Sequence, residues 1–449
     1  MSKIDFLKTI YTKFIDENSV IFSIGLISND EKTVLSQITN NLTHVKNLES
    51  DSNSYKFSLV KIDTTENFKV LKNLQKSIEE NKADILLKTS NEKNCFDIIE
   101  SIGYHIYDVS PADNISDCAG PLSKEEFNYY SDNVSKEGNF LCVHKDNVKK
   151  YNLPTIVPGK ICGIIFGRND GYKEKERFII HITKMLETFD EVIYVDWNSD
   201  KNSFLCEIIN DIPKSGKLKH IVIEPKIANI LNEYNPKLIS GCNGSLANNL
   251  AIRRTDAEYI VVTASDIIPP SREILVNFIK TTNKNSFYTL SRRDIEYDDI
   301  IKNKDNLKEY IEYLNKTSSP RYFPAKVTPN DNYSIFNCPG DFQFAHKNIW
   351  LKIKGYEEKM IYACFGDTNI QKKSVLYGFN LVPIYDVPLY HMSHKGMGND
   401  GASPSKKFYN DPMEWVEYFY KYTIHNYTFI SKNSDTWGFS DVEIECEII

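Results

Sequence analysis

The sequence predicts an α/β protein of two domains, each carrying a mainly parallel sheet. Two observations predict it: short apolar runs alternate with amphipathic helical patterns, and the alternation pauses near residue 155 before restarting more strongly. Length supports it, since 449 residues with 41% hydrophobic content exceed what one core usually fills.

Met1 to Glu17 mixes charged and apolar residues without a continuous apolar stretch, which fits an amphipathic helix rather than a secretory leader. Val20 to Leu26, Phe57 to Ile62, Asp84 to Leu87 and His105 to Val109 read as strands, with Phe68 to Asn81 as a helix among them. Gly25 is the only glycine in its strand-to-helix connection, so a dinucleotide fingerprint is absent and this region, 1–155, shows no chemistry of its own. Lys124 to Tyr151 reads as helix-rich, and Leu153-Pro154-Thr155 with Val157-Pro158-Gly159 as a linker.

In the second domain, 156–400, Ile161 to Phe166 reads as a buried strand, Glu174 to Phe189 as a helix, and Glu191 to Asp196, His220 to Glu224 and Tyr259 to Thr263 as further strands. Three of these runs stop abruptly in polar residues: Gly167-Arg168-Asn169-Asp170, Asp196-Trp197-Asn198-Ser199 and Ser265-Asp266. In open α/β sheets ligands sit outside the carboxyl ends of the strands, so the three clusters are expected to converge. Residues 401–449 are expected to form a C-terminal helical extension packing on the second domain, in which Met413 to His425 reads as an aromatic packing helix.

The net charge of −7 comes from interspersed Lys and Glu, which argues against a dedicated nucleic-acid surface. Nine cysteines without a C-x-x-C pair point to a reduced, cytoplasmic setting. No run approaches the roughly 20 apolar residues that span a bilayer.

Three places could carry chemistry. Asp266 stands at a strand tip before Ile267-Ile268-Pro269-Pro270, where a carboxylate can hold a divalent cation against a diphosphate; a solvated turn or helix cap is the bland alternative. Tyr390-His391-Met392-Ser393-His394 offers two imidazoles three apart that could complete such a site or be structural. Asp367, in Gly366-Asp367-Thr368-Asn369, is either a helix cap or, facing the crevice, a general base for an acceptor hydroxyl.

Taken together, Arg168-Asn169-Asp170, Asp196-Trp197-Asn198, Asn248-Asn249-Leu250-Ala251-Ile252-Arg253-Arg254, Ala264-Ser265-Asp266, Gly340-Asp341-Phe342-Gln343, Trp350 with Gly355-Tyr356, Asp367 and Tyr390 to His394 follow a recognisable order. Over roughly Ile161 to His394 the chain resembles the family-2-like glycosyltransferases of the GT-A fold, a bacterial-type subgroup. The resemblance implies a Rossmann-like, mostly parallel catalytic domain that moves a sugar from a nucleotide-diphosphate donor, a UDP-sugar, to a glycan or glycosylated acceptor. It implies donor contacts from Gly167, Arg168, Asn169, Asp196, Asn248, Arg253, Arg254 and Ser265, and a Mn²⁺ or Mg²⁺ ion on Asp266, His391 and His394. Gly340, Asp341 and Phe342 would line the acceptor side, and Asp367 would be the base of an inverting displacement.

The chain departs from the pattern at Ala264, where the fold usually has an acidic or amide residue, and at Gly366, where many members have Glu. The first bears on metal dependence. Two rivals stay open: a nucleotide-sugar-binding scaffold that has lost turnover, and a sugar nucleotidyltransferase, which a single glycine after the first strand disfavours. A homodimer is a further option that the sequence does not decide.

Overall fold

The computed structural model describes residues 21–24, 42–45, 59–63, 75, 78–80, 82–89, 94–108, 121, 138–151, 156–167, 175–197, 210–224, 244–318, 340–360, 366–393, 431–434, 436–440 and 442–449. The chain divides into two units, Met1–Ile156 and Val157–Ile449. Arg168, Asn169, Asp170, Asn198, His394, the Met1 to Glu17 segment and the Met413 to His425 segment lie outside the described residues. Among the described residues no helix is long and apolar enough to cross a membrane.

The first unit contains β1 (Ile21–Ile24), β2 (Leu42–Val45), β3 (Leu59–Asp63), β4 (Asp84–Thr89), α1 (Asn94–Ser101), β5 (Tyr104–Asp108) and β6 (Gly138–His144). They form a six-stranded sheet in the order β2-β1-β3-β4-β6-β5. β1 to β4 pair in parallel, and β6 runs antiparallel to both its neighbours. β6 corrects the helix-rich reading of Lys124 to Tyr151 at Gly138–His144, while Lys145–Tyr151 forms a 3-10 helix and 124–137 lie outside the described residues. Phe140, Leu141, Cys142 and Val143 are all buried, and a short run apolar on both faces carries no periodicity to separate strand from helix.

The second unit contains β7 (Val157–Gly167), α2 (Lys175–Thr188), β8 (Glu191–Trp197), β9 (Leu218–Ile223), α3 (Gly244–Arg254), β10 (Ala257–Thr263), β11 (Ile267–Ile268), α4 (Arg272–Ile279), β12 (Ser286–Leu290) and β13 (Arg293–Glu296). It continues with α5 (Tyr297–Lys302), α6 (Leu307–Thr317), β14 (Phe342–His346), α7 (Lys347–Lys352), α8 (Gly366–Leu376), β15 (Asn380–Ile384), β16 (Tyr390–Ser393) and β17 (Glu447–Ile448). Val157-Pro158-Gly159, expected in a linker, instead opens β7. Proline is tolerated in the first residues of a strand, where its missing N–H breaks no central ladder.

The main sheet runs β15-β12-β14-β10-β7-β8-β9-β17. β10, β7, β8 and β9 are parallel, and β14 and β17 are antiparallel to their neighbours. Alternating side chains feed two cores. Cys162, Ile164, Ile193, Val195, Ile260 and Val262 face α3, α7 and α8. Ile161, Ile165, Val192, Tyr194, Tyr259 and Val261 face α2 and α4.

Burying each such aliphatic or aromatic side chain is worth roughly 1.5–3 kcal/mol, which explains why these strands are apolar throughout rather than alternating. Gly163 lets α2 approach closely: a Cβ there would stand 2.6 Å from both Met185 and Phe189. Within 401–449 the described residues give a short 3-10 turn at Trp437–Phe439 and the edge strand β17, and the expected helix at Met413 to His425 lies outside them. Trp437 is fully buried in the α3 core.

Candidate active site

Strand direction assembles the site. β7, β8, β9 and β10 all end at one edge of the sheet, at Gly167, Trp197, Ile223 and Thr263. β14 runs the other way, so its first residue, Phe342, pairs with Thr263 and puts Gly340 and Asp341 at the same edge. β12, antiparallel to β14, brings Ser291 and Arg292 there as well. A small sheet in the order β11-β16-β13 follows, and its register sets His391 between Ile267 and Asp294.

The polar groups at this edge form a connected chain. His391 Nε2 lies 3.3 Å from Asp266 Oδ2, and its Nδ1 lies 3.1 Å from Asp294 Oδ1. Arg292 Nε is 3.2 Å from Asp294 Oδ1, and Arg292 Nη1 is 3.0 Å from both carboxylate oxygens of Asp341. Backbone contacts pin the two ends: Met392 N–H donates to the Asp266 carbonyl at 2.9 Å, and the Thr263 hydroxyl donates to the Asp341 carbonyl at 2.6 Å.

Asp367 sits beside this chain, in the first turn of α8. Gly340 approaches it so closely that an added Cβ would run into the Asp367 side chain. Gln343 donates through Nε2 to the Asp367 carbonyl at 2.8 Å, and the Tyr356 hydroxyl donates to Gln343 Oε1. Tyr356 is held in turn by Asn249, whose Oδ1 accepts from the Tyr356 N–H at 2.7 Å. A buried ion pair, Lys373 Nζ to Glu357 Oε1 at 2.8 Å, anchors the following turn of α8. The Gly-Asp-Phe-Gln and Gly-Tyr motifs therefore act as the frame that orients Asp367.

Electrostatics separates the acidic groups. Burial pushes the Asp367 carboxyl up to about 6, against hydrogen bonds from the Thr368, Asp367 and Gly340 N–H groups, and the Asp341 charge raises it further. Burial also raises Asp341, and the Arg292 guanidinium opposes that rise. Burial alone would lower the His391 imidazole, but the Asp266 contact outweighs it and leaves its pKa above the ordinary value.

The expected residues divide sharply. Asp266, His391, Asp341 and Gly340 stand together, with Asp367 beside them, and Ser265 is half-buried next to Asp266. Gly167 pairs with Asp196 at the same edge, but Asp196 is fully buried and its Oδ2 lies 3.4 Å from His220 Nε2. That carboxylate is a structural partner inside the domain rather than a surface donor contact. Phe342 is core, packed with Phe344 and fully buried, and so does not line an acceptor surface. Asn248 is buried, and its Oδ1 makes no hydrogen bond among the described residues.

Arg253 and Arg254 are also corrected. They close α3, an 11-residue helix roughly 16 Å long that begins against Phe166 at the carboxyl edge. It ends at the opposite edge, beside Asp256, whose carbonyl accepts from Val157 N–H at the start of β7. There Arg254 donates to the carbonyls of Gly438, Phe439 and Val442 at 2.8, 2.7 and 2.8 Å. Arg253 lies over the Trp437 ring, 4.9 Å from its centroid. Both arginines fasten the C-terminal segment, remote from the site.

Arg292 and Asp294 were not anticipated. The only sequence signal was a charged cluster, Arg292-Arg293-Asp294, one residue past the strand-like run Ser286 to Leu290, a strand-tip pattern like the one that marks Asp266.

Among the described residues no three His, Cys, Asp or Glu side chains gather at metal-binding spacing. The donor set nevertheless fits a hard divalent cation. A neutral imidazole has one N–H and cannot donate to Asp266 and Asp294 at once, so a cation, whether proton or metal, suits the Asp266 side. The 3.3 Å separation of Oδ2 and Nε2 is that of neighbouring ligands with bonds of about 2.1–2.2 Å. Ions of this kind are commonly held by one or two protein ligands and complete their shell with water and substrate phosphates.

No family model matches the sequence, and no curated protein does either. Solved structures with a partial likeness include glycosyltransferases. One is the mannosyltransferase PcManGT from Pyrobaculum calidifontis in complex with GDP-Man and Mn²⁺, at 15% identity and a TM-score of 0.34, over 53% of this chain and 57% of that one. Another is residues 1–349 of S. aureus TarS in complex with UDP, at 12% identity and a TM-score of 0.33, over 62% and 68%. A third is GalNAc-T7 with UDP, GalNAc and Mn²⁺, at 10% identity and a TM-score of 0.37, over 58% and 47%. The likeness to PcManGT thus spans little more than half of each chain.

Proposed function

We propose that the chain is an inverting glycosyltransferase of the GT-A type, moving a sugar from a UDP-sugar to a hydroxyl of a glycan or glycosylated acceptor. One observation carries the reading: at the carboxyl edge of the sheet, a carboxylate tuned to about 6 adjoins a separate Asp–His pair suited to a diphosphate-bound cation. A base with that proton affinity is mostly ionised near neutral pH yet strong enough to accept a hydroxyl proton.

In the proposed reaction, Asp367 takes the proton of the acceptor hydroxyl. The acceptor oxygen forms a bond to the anomeric carbon, the bond from that carbon to the diphosphate oxygen breaks on the opposite face, and the nucleoside diphosphate leaves. Asp266 and His391 would hold a Mn²⁺ or Mg²⁺ ion, with His394 as a further ligand, and such an ion neutralises charge on the departing diphosphate. Asp341, fixed by Arg292, would receive an acceptor hydroxyl beside the base and orient it for attack. No covalent intermediate with the protein forms. We place the reaction in glycan synthesis in the cytoplasm.

One observation favours a second reading, a nucleotide-sugar-binding scaffold without turnover: Ala264 stands half-buried at the tip of β10 where a polar ligand would strengthen the cation site. The two readings separate in one assay. The purified chain is incubated with UDP- and GDP-sugars and Mn²⁺, and nucleoside diphosphate release is measured with and without sugar acceptors. Release that disappears in Asp367→Asn while donor binding persists supports the transferase. Donor binding with no release across the panel supports the scaffold.

A further inference from the structure

The register of β13 against β16 sets Asp294 directly beside His391, 97 residues apart in the chain. The two side chains meet on the ring nitrogen that faces away from Asp266, at 3.1 Å, while the other nitrogen faces Asp266 at 3.3 Å. An imidazole has two soft rotations of its own, so a single contact to Asp266 would leave the ring free to flip and present either nitrogen. A carboxylate on Nδ1 removes that freedom: it keeps a proton on Nδ1 and the lone pair on Nε2. Asp294 is itself fixed, since its Oδ1 also meets Arg292 Nε at 3.2 Å, and Arg292 is held on Asp341.

We propose that Asp294 is a positioning residue that presents His391 Nε2 to the cation site, with Arg292 holding Asp294 in place. The inference rests on the metal-binding role proposed above for Asp266 and His391. It assigns Asp294 no contact with donor or acceptor; its effect passes through the His391 ring. Arg292 thereby links the two ends of the site, touching Asp294 on the leaving-group side and Asp341 on the acceptor side.

The test is Mn²⁺ binding to the full-length protein without donor or acceptor, read from the electron paramagnetic resonance signal of free Mn²⁺. Wild type, Asp294→Ala, Asp294→Asn, His391→Ala and the double variant Asp294→Ala/His391→Ala are compared, with melting temperature as the check on folding. Loss of an orienting carboxylate of this kind typically weakens metal binding about 10–100-fold, and that range is expected for Asp294→Ala. Asp294→Asn keeps an acceptor oxygen without the charge and should fall between. In the His391→Ala background the Asp294→Ala effect should vanish, because a residue acting through the ring has nothing left to act on.

In turnover, Asp294→Ala should raise the Mn²⁺ concentration needed for half-maximal rate and leave the rate at saturating Mn²⁺ within a few-fold of wild type. If Asp294→Ala fails to fold, Asp294→Asn carries the same comparison. A folded Asp294 variant with unchanged Mn²⁺ affinity overturns the proposal and assigns Asp294 to bracing the Arg292–Asp341 pair. An effect of equal size with and without His391 overturns it too. Wild type that binds no Mn²⁺ removes the metal reading itself, a result distinct from either.

Discussion

Replacing Asp367 by Asn should make the protein more stable at neutral pH while abolishing transfer. Burial raises this carboxyl from 3.8 to about 6, so the folded state holds its proton more tightly than the unfolded state does. The sign follows: a group with a raised folded pKa favours folding below the unfolded value, and that contribution is lost as pH rises through the folded value. At pH 7 and above the ionised side chain therefore opposes folding. At about 1.4 kcal/mol per tenfold change in proton affinity, the rise corresponds to roughly 3 kcal/mol. That figure is an upper bound, because Asp367 keeps partial solvent access and water screens the charge.

Asn preserves an oxygen for the Thr368 and Gly340 N–H groups and carries no charge. The assay is urea unfolding of wild type and Asp367→Asn at half-unit intervals from pH 4 to 8. The variant's advantage should grow between about pH 4 and 6 and level off above. Nucleoside diphosphate release by wild type, as kcat/KM, should fall tenfold per pH unit below about 6. A stability difference that is flat over the whole range would refute the burial argument. A variant that retains turnover would remove Asp367 from the role of base.

Gly340→Ala should push the Asp367 side chain aside, costing about 1–3 kcal/mol in overpacking and lowering kcat by about 100-fold with donor affinity unchanged; kinetics with a calorimetric control checks both. Arg254→Ala removes donors to three C-terminal carbonyls and should lower stability by roughly 2 kcal/mol, read as a lower melting temperature with an unchanged donor KM. A raised donor KM with an unchanged melting temperature would restore the phosphate-binding role that the sequence suggested.

The strand tips were legible because their physics is local. A buried strand must be apolar on both faces, so the place where Val262-Thr263 gives way to Ser265-Asp266 marks both the end of the strand and the start of the crevice. Asp367 was legible as a candidate base, but its raised proton affinity was not, since that depends on burial and on Asp341, 26 positions earlier in the sequence. Asp294 was legible only as part of a charged cluster past a strand, because its contact with His391 exists only in the β13–β16 register. Asp196 shows the opposite failure: its strand-tip position is as expected, yet the side chain turns to His220 within the domain, and the period of two that decides which face a residue takes cannot be counted from a strand buried on both faces.

Arg253 and Arg254 were misplaced for a reason that strand direction alone supplies. A helix leading into a parallel strand must travel back across the sheet before that strand starts, so its first turn lies at the carboxyl edge and its last turn at the amino edge. In α3, Gly244 and Ser245 accordingly meet Phe166 and the Met360 carbonyl near the site, while the arginine pair arrives about 16 Å away. A basic pair at the end of such a helix is poorly placed to meet a phosphate at the strand tips and well placed to neutralise the helix's own terminal carbonyls and whatever chain crosses them. Among the described residues, Arg292 reaches the carboxyl edge, and it comes from the strand side, just past β12. Arg292 follows a strand that runs toward the carboxyl edge and Arg254 ends a helix that runs away from it, and that difference in direction separates the two.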